Sequence, residues 1–253
     1  MSWSVTVADA LTAELVLAAF RKETAAVVIP RYCDEETAGR LADALLQSDG
    51  RTNYLVRWST RSGREDALAL TDVDRVGPVD STDSPQTTVD AIRRMRSATA
   101  PALSPIDRLR LELDEVLPLG ASLEREKDGE PYNAGVGRIM ERSDAIVHAD
   151  VARQGCLTAN VYLRMPAKGG STRIWRHEGT FLGAGSSYIF DRDEIGDDVP
   201  YSDVIPAVGD LILWNPCAPH VVLPFTGGPR VTLQTWLRVV ASEVGQIGVR
   251  ILN

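Results

Sequence analysis

Apolar side chains follow a helical spacing in the first part of the chain. After Asp34, apolar residues recur at intervals of three and four, with acidic residues before them and Gly50 beyond them. The residues of this stripe are Ala38, Leu41, Ala42, Leu45 and Leu46. Such spacing and flanks are typical of an amphipathic helix. The apolar run from Ala25 to Ile29, closed by Pro30, predicts a buried strand just before this helix.

Two further helices are predicted before residue 120. One runs from about Pro85 to Arg96. The other begins after Ser104, a residue type that caps helices, and has Pro105 at its first position. Its apolar stripe comprises Ile106, Leu109, Leu113, Val116 and Leu117.

The spacing changes to short β runs from about residue 134, with Gly, Pro and charged turns between them. We predict eight strands, at Val136–Met140, Ala145–His148, Leu157–Leu163, Thr172–Trp175, Ser187–Phe190, Asp210–Trp214, His220–Leu223 and Val231–Val239. Strands at this spacing suggest a double-sheet jelly roll. In the third strand the odd-numbered residues are apolar, so Thr158, Asn160 and Tyr162 share the opposite face. One face of this strand can pack while the other lines a site.

We therefore predict a mainly β fold with α, a cupin-like double-stranded β-helix with N-terminal helices packed on it. Residues 1–253 form one domain, with a mostly helical part at 1–130 and a jelly-roll core at 131–240. The polar stretch 51–86 has weak periodicity apart from a possible short strand at Tyr54–Trp58. A stretch of this length is a candidate lid over a site, or alternatively a solvated surface loop.

Composition narrows the partners. The chain has 27 Lys and Arg against 35 Asp and Glu, a formal charge of −8, with no cationic stripe. This balance argues against nucleic acid and membrane as partners, because both need clustered cations. The three cysteines, Cys33, Cys156 and Cys217, are far apart and odd in number, which indicates reduced thiols in a cytoplasmic protein. No apolar stretch approaches the length of a membrane span.

The positions of the three histidines suggest a metal site. In His148-Ala149-Asp150, at the end of a predicted strand, the imidazole and the carboxylate point to the same side. His220 begins a later strand and is placed to supply a third ligand. Two histidines and one carboxylate form the facial arrangement of non-haem Fe(II) oxygenases. Alone, the His-x-Asp pair is also compatible with a surface turn.

Arg230 favours the metal site over the surface turn. It lies ten residues after His220, beyond the turn Thr226-Gly227-Gly228-Pro229, on a strand antiparallel to the one that His220 begins. A hairpin brings its guanidinium near the metal, and that planar fork is suited to binding a carboxylate with two bonds. Thr232 shares the face of Arg230 and can add a hydroxyl group.

These motifs together resemble the Fe(II)/2-oxoglutarate-dependent oxygenases. The resemblance covers about residues 130 to 240: the His-x-Asp motif, the turn and strand Gly169–Trp175, the segment Gly209–His220, and Arg230-Val231-Thr232. It implies that His148, Asp150 and His220 bind Fe(II). It also implies that Arg230 and Thr232 hold the distal carboxylate of the cosubstrate, 2-oxoglutarate. O2 would be consumed, with succinate and CO2 as co-products.

The resemblance also bears on the reaction. In the halogenating branch the carboxylate position is Gly or Ala, so Asp150 favours hydroxylation. The size and the opening of the chain are similar to the small carrier-independent enzymes that halogenate or hydroxylate free amino acids. We therefore expect hydroxylation of an unactivated carbon of a free amino acid or close derivative. The alternative is oxidative cyclisation, such as cyclopropane formation on a nitro-norleucine, or desaturation. An alternative of another class is a non-catalytic, cupin-like metal-binding or sensor protein, which does not need Arg230.

Further residues are candidates for contact with the cosubstrate or the substrate. Asn160 and Tyr162 are candidates for contact with the cosubstrate. Arg173, Gln234 and Trp236 are candidates for contact with the substrate, although core packing explains a tryptophan equally well. His177, between two charged residues, is either a substrate contact or an ordinary surface residue. The oligomeric state is not legible from the sequence.

Overall fold

The structure is a computed structural model. It describes residues 3–48, 51–59, 65–76, 93–125, 135–143, 145–150, 153–177, 187–190 and 194–252; within 51–59 and 65–76 it describes the backbone alone. The helices are α1 (Ala13–Phe20), α2 (Glu35–Leu46), α3 (93–99) and α4 (Pro105–Val116).

Strands dominate the described residues. They are β1 (Val5–Val7), β2 (Ala26–Ile29), β3 (Arg51–Ser59), β4 (Glu65–Val76), β5 (Ala121–Leu123), β6 (Val136–Met140), β7 (His148–Ala149), β8 (Cys156–Arg164), β9 (Lys168–Gly169), β10 (Thr172–Trp175), β11 (Ser187–Ile189), β12 (Tyr201–Val204), β13 (Leu211–Trp214), β14 (His220–Val222), β15 (Phe225–Thr226), β16 (Arg230–Ala241) and β17 (Ile247–Leu252).

All but two of these strands join one rolled sheet. Its order is β1-β2-β13-β8-β16-β6-β4-β3-β11-β7-β14-β10-β12, with β17 added beside β16 and β5 beside β17. The strands β2, β13, β8, β16 and β6 form the larger wall, and β11, β7, β14, β10 and β12 form the smaller wall. The mainly β jelly roll with helices packed on it is confirmed.

The helices cover the outer face of the larger wall. Alternate residues such as Ala159, Val161, Leu211 and Leu213 pack there in one cluster with Leu41 of α2, Leu109 of α4 and Val16 of α1. Helices α2 and α4 lie where the sequence predicts, and side chains of Asp34 and Ser104 accept amides of their first turns. Helix α1, which the sequence analysis did not predict, is capped in the same way by Thr12. The N-terminal helices thus stabilise the wall from outside.

The inner face carries the other set of alternate residues. A separate apolar cluster there contains Tyr162, Ile174, Ile212 and Trp214, so it links the larger wall to β10 of the smaller one. Because a one-residue step along a strand reverses the side-chain direction, the two clusters share strands but not side chains. The predicted division of β8 into two faces is confirmed.

A glycine-aspartate step starts β13. Gly209 has φ +89°, and a Cβ there would collide with the carbonyl oxygen of Cys33. The carboxylate of Asp210 accepts the amides of Arg31 (3.1 Å) and Ala207 (2.8 Å). These contacts fix the start of the strand that ends at Trp214.

The polar region before residue 86 forms regular structure. Strands β3 and β4 pair with each other, and β4 pairs with β6 while β3 pairs with β11. The expected short strand at 54–58 is therefore too short, because pairing on both sides extends the hairpin despite its polar sequence. The lid interpretation of 51–86 stays a prediction, and residues 60–64 and 77–86 lie outside the described residues.

Other element boundaries also differ. Strand β17 lies beyond the predicted end of the core at residue 240, where it pairs with β16. The helix expected from Pro85 is seen as α3, and its predicted beginning lies outside the described residues. None of the helices in the described part of the chain has the length and apolar character needed to cross a membrane. All three cysteines are buried free thiols.

Candidate active site

Two strands of the smaller wall bring the histidines together. His148 of β7 and His220 of β14 are register partners, and their ring centroids are 4.4 Å apart. The nearest ligand atoms of His148, Asp150 and His220 all lie within 4.8 Å of one another. The convergence that the sequence predicted is therefore present in the fold.

Backbone carbonyls orient both imidazoles. The Nδ1 atom of His148 lies 3.1 Å from the carbonyl oxygen of Ile146, and that of His220 lies 2.9 Å from that of Ala218. A carbonyl oxygen only accepts, so each Nδ1 carries the proton and each Nε2 presents its lone pair. This arrangement is the one that metal-ligating histidines use.

Asp150 is held from two sides. Its amide donates to the carbonyl of Pro216 (2.9 Å), and its Oδ1 accepts a hydrogen bond from Ser187 Oγ (3.1 Å). Burial acts to raise the pKa of Asp150, but neighbouring positive charges, those of the two histidines and Arg138, outweigh burial and lower it. The carboxylate is therefore ionised at neutral pH.

Burial lowers the pKa of His220, whereas it acts to raise that of Asp150. Together with the nearby charge of His148, which is the second largest cause, burial lowers the pKa of His220 to about 4. A neutral imidazole beside an ionised carboxylate is the protonation state in which both bind a metal. The cluster opens toward His148, whose side chain is 33% exposed, whereas His220 is buried.

Arg230 is a buried cation on the inner face. It is 4% exposed, and its guanidinium donates to Tyr162 Oη (3.0 Å) and Thr172 Oγ1 (3.1 Å). Its Nε has no hydrogen-bond partner among the described residues. Thr232, on the same face, is also buried. A buried cation held by neutral hydroxyls is suited to an incoming anion.

Several other buried polar atoms of this face have no hydrogen-bond partner in the structure. They are Thr158 Oγ1, Asn160 Oδ1, Trp214 Nε1 and Trp236 Nε1. In the sheet register Thr158 pairs with both Trp214 and Trp236, and Asn160 pairs with Gln234. Buried polar groups are normally satisfied, so a group of unsatisfied ones points to a ligand. Of the predicted residues Asn160, Tyr162, Gln234 and Trp236, all four lie on this face.

Two predicted candidates lie elsewhere. Arg173 alternates with Ile174 and so points away from His220; it forms a two-bond ion pair with Asp203 (2.7 and 2.8 Å). The structure does not bring Arg173 to the cluster. The ring of His177 packs 5.5 Å from Phe190, which lies in a separate apolar cluster with Tyr188 and Ala149.

Sequence reasoning missed three residues of this region. Trp214 packs 6.0 Å from the ring of His220, and Ser187 donates to the carboxylate of Asp150. Arg138 of β6 pairs with Thr232, so its side chain shares the inner face. The period-two alternation of β6, in which every second residue shares the side of Arg138, is the signal that could have found it.

Comparison with known proteins found two sequence relatives in the curated set, whereas no family model matches the chain. The L-gamma-glutamyl-L-propargylglycine hydroxylase of Streptantibioticus cattleyicolor is 32% identical over 127 residues, 45% of this chain and 47% of that protein. The leucinostatins biosynthesis cluster protein S of Purpureocillium lilacinum is 28% identical over 149 residues, 52% of this chain and 60% of that protein. The chain thus spans about half the length of the curated relatives it matches.

Solved structures decide the fold. An N-substituted L-amino acid dioxygenase from Burkholderia ambifaria superposes with a TM-score of 0.53 at 14% identity, covering 96% of this chain and 92% of that one. HygX from Streptomyces hygroscopicus, solved with nickel and 2-oxoglutarate bound, gives a TM-score of 0.53 at 16% identity, covering 90% and 87%. The chain has the fold of the Fe(II)/2-oxoglutarate oxygenases. Within this fold, His148 and His220 lie on the smaller wall and Arg230 lies on the larger one. The predicted hairpin between the strands of His220 and Arg230 is therefore wrong, because β14 pairs with β7 and β10, whereas β16 pairs with β6, β8 and β17.

Proposed function

We propose that this protein is an Fe(II)- and 2-oxoglutarate-dependent oxygenase that hydroxylates a carbon of a free amino acid or a close derivative. One observation carries the proposal: two imidazoles and a carboxylate converge within 4.8 Å on the smaller wall, while the larger wall holds a buried arginine. A protein that only binds metal has no use for the second feature.

The residues fit a ferrous ion. His148, Asp150 and His220 would hold it through two Nε2 atoms and one carboxylate oxygen, a donor set that leaves coordination positions open. Ser187 would keep the carboxylate oriented, and the carbonyls of Ile146 and Ala218 would keep the rings in place. When bound, the metal would activate O2, so that one oxygen atom enters succinate as 2-oxoglutarate loses CO2 and the other is inserted into a C–H bond of the substrate.

The residues also fit a dicarboxylate cosubstrate. Arg230 would bind the distal carboxylate, with its orientation set by Tyr162 and Thr172. Thr232 lies two residues further along β16 and can donate its hydroxyl to the same group. The apolar inner cluster around Trp214 and Ile212 would keep water from this end of the site.

The curated relative and the superposed structure support the substrate class. One is a hydroxylase of a γ-glutamyl amino acid and the other a dioxygenase of N-substituted amino acids. Both names describe a small molecule that carries a carboxylate. A small amino-acid-like substrate is therefore the proposed partner of this chain.

The test combines the purified protein with Fe(II), 2-oxoglutarate and 18O-labelled O2. The panel contains the free L-amino acids with their N-acyl and γ-glutamyl derivatives. We expect at least one of them to accelerate succinate release, with one labelled oxygen atom in succinate and one in the product. A product that has instead lost two hydrogens would indicate cyclisation or desaturation. Bound metal without succinate release for any member of the panel would contradict the proposal.

A further inference from the structure

Two tryptophans flank a threonine on the inner face of the larger wall. Thr158 of β8 pairs in register with Trp214 of β13 and with Trp236 of β16, and we call these three residues the indole row. Directly paired residues of antiparallel strands point to the same face, with their Cβ atoms about 5 Å apart. One end of the row lies beside the candidate metal cluster, because the ring centroids of Trp214 and His220 are 6.0 Å apart.

Each side chain of the indole row buries a hydrogen-bond donor that is not used. Thr158 is 1% exposed, Trp236 3% and Trp214 5%. Thr158 Oγ1, Trp214 Nε1 and Trp236 Nε1 have no hydrogen-bond partner among the described residues. A buried donor without a partner costs free energy, so three of them in one row point to a bound group that accepts hydrogen bonds.

Other buried threonines of the same sheet do have partners. Thr235, one residue before Trp236 and on the opposite face, donates its hydroxyl to the carbonyl of Leu252 (3.0 Å). The hydroxyl of Thr172 accepts a hydrogen bond from Arg230 (3.1 Å). The unused hydroxyl of Thr158 is therefore a property of the indole row and not of buried threonines in this barrel.

The neighbouring row adds an unused acceptor. Asn160, two residues after Thr158 on the same face, is 4% exposed, and its Oδ1 has no hydrogen-bond partner in the described part of the chain. The cosubstrate 2-oxoglutarate is ionised at both carboxyl groups, so it has only acceptor atoms and cannot donate to Asn160 Oδ1. A group that satisfies both rows accepts from the indole row and donates to Asn160.

A secondary amide combines a carbonyl acceptor with an N–H donor. The ammonium and carboxylate of a free amino acid offer the same combination, but a buried ammonium needs a carboxylate beside it. Neither row carries a carboxylate among the residues whose register is described. Besides the four residues already named, these are Leu252 in the indole row and Val28, Ile212, Gln234 and Val136 in the row of Asn160. A neutral amide therefore matches both rows, and a free ammonium does not.

We propose that the indole row binds the carbonyl oxygen of an acyl group on the nitrogen of the substrate, and that Asn160 accepts the N–H of the same amide. This inference rests on the proposed function and narrows its substrate from amino acids in general to N-acylated ones, among them γ-glutamyl derivatives. Because Trp214 packs against His220, the amide is held beside the metal-binding residues.

The experiment measures binding by isothermal titration calorimetry without oxygen, in the presence of Fe(II) and 2-oxoglutarate, so that no turnover occurs. The probes are free L-amino acids and their N-acetyl, γ-glutamyl and N-ethyl derivatives. An N-ethyl group has the size of an acetyl group but no carbonyl oxygen. The variants are Thr158→Val and Trp236→Phe, which remove a donor and keep the shape of the side chain or its aromatic ring. The matched control is Trp175→Phe, because Trp175 stacks on Tyr201 on the outer face of the smaller wall.

We expect at least one acyl derivative to bind to the wild-type protein at least about fivefold more tightly than its parent amino acid and its N-ethyl analogue. Each site variant should weaken binding of that acyl derivative by about fivefold or more, whereas Trp175→Phe stays within about twofold. Equal binding of acetyl and ethyl derivatives, unchanged binding in both site variants, or no binding by any acyl derivative would overturn the inference.

The stability of the ligand-free protein gives Thr158→Val a second test. Removing a buried hydroxyl that has no partner costs the fold no hydrogen bond, so the midpoint of urea unfolding should equal or exceed that of the wild type. Thr235→Val removes a hydroxyl that is bonded to Leu252 and should lower the midpoint. A fall for Thr158→Val as large as that for Thr235→Val would show that Thr158 has a structural role and would overturn the inference.

Turnover separates this inference from the proposed function. Selective binding of acyl derivatives with no succinate release under any condition would refute the oxygenase and leave the amide site standing. Succinate release that free amino acids trigger as well as acyl derivatives, and that Thr158→Val leaves unchanged, would refute the amide site and leave the oxygenase standing.

Discussion

The two faces of β8 and β13 differ in the chemistry of the side chains that they bury. On the outer face, Ala159, Val161 and Leu213 pack against helices with no polar atom among their side chains. On the inner face, one residue away in each case, Thr158, Asn160 and Trp214 have buried polar atoms without partners in the described part of the chain. Alternation thus lets one strand pack against helices on one side and present buried polar groups on the other.

The largest expected effect is the loss of activity when a residue of the His148-Asp150-His220 cluster is replaced. Asp150→Ala should lower succinate release by on the order of a hundredfold or more, because the carboxylate that completes the three-residue donor set is removed. The measurement is succinate formation at saturating Fe(II) and cosubstrate with the amino acid that triggers turnover. Some metal should stay bound through His148 and His220.

The control for this variant is Asp203→Ala, which removes a carboxylate on the outside of the smaller wall. Its activity should equal that of the wild type. Native turnover by the Asp150 variant would contradict the ligand assignment.

The second largest expected effect is a loss of stability when an apolar residue of the outer face is shortened. Leu213 is fully buried against the helices, so Leu213→Ala should lower the free energy of unfolding by about 2–5 kcal/mol. Urea denaturation measures this change, with Leu111→Ala, exposed on α4, as a matched control that should stay near zero. Activity per folded molecule should stay unchanged. A large loss of activity with no loss of stability would show that the two faces are not separable.

Arg230→Ala tests whether the buried cation of the inner face binds the cosubstrate. The variant loses charge-assisted hydrogen bonds to the cosubstrate, so the KM for 2-oxoglutarate should rise by about tenfold to a hundredfold. The KM for the amino acid should change far less. Steady-state kinetics in both substrates distinguish this result from a general loss of folding, which would lower kcat without a selective rise in either KM.

The smallest effect concerns the helical layer alone. A hydrogen-bonded ion pair with Arg96 lowers the pKa of Asp107, which also accepts a hydrogen bond from Ser104 at the start of α4. Because the folded-state pKa of Asp107 is lowered, its ionised carboxylate stabilises the fold at pH values above the usual aspartate pKa. This contribution is lost as the pH falls through the lowered pKa.

Asp107→Asn should therefore cost roughly 0.5 kcal/mol at pH 7, because the pair is partly exposed and screened. The difference from wild type should shrink toward zero as the pH falls through the lowered pKa of Asp107 and the carboxyl group becomes protonated. Thermal unfolding across this pH range measures it, and a difference that grows with acidity would have the wrong sign.

Sequence patterns predicted the parts of the fold where local chemistry decides. Strands β6 and β10 have the predicted bounds, helix α4 begins at the predicted cap, Ser104, and helix α2 follows Asp34 as predicted. The faces of β8 followed from alternation. In the same way, the convergence of His148, Asp150 and His220 followed from residue type and spacing, because residue types that can ligate a metal are few and chemically distinctive.

Parts that depend on distant pairing could not be predicted in this way. The hairpin β3–β4 has a polar sequence, and its length is set by β6 and β11, which lie far along the chain. The ion pair of Arg173 with Asp203 likewise depends on the register of β10 with β12, strands that are separate in the sequence. Sequence spacing alone does not say which edge of the sheet a strand joins.

The register pairing of His148 with His220 has a mechanical consequence. A divalent ion that binds these residues and Asp150 joins two strands about seventy residues apart along the chain, and its ligands lie together only in the folded state. Occupancy of the centre then acts as a reversible cross-link. The melting temperature should climb with free metal concentration, and chelation should return the protein to its unfastened stability.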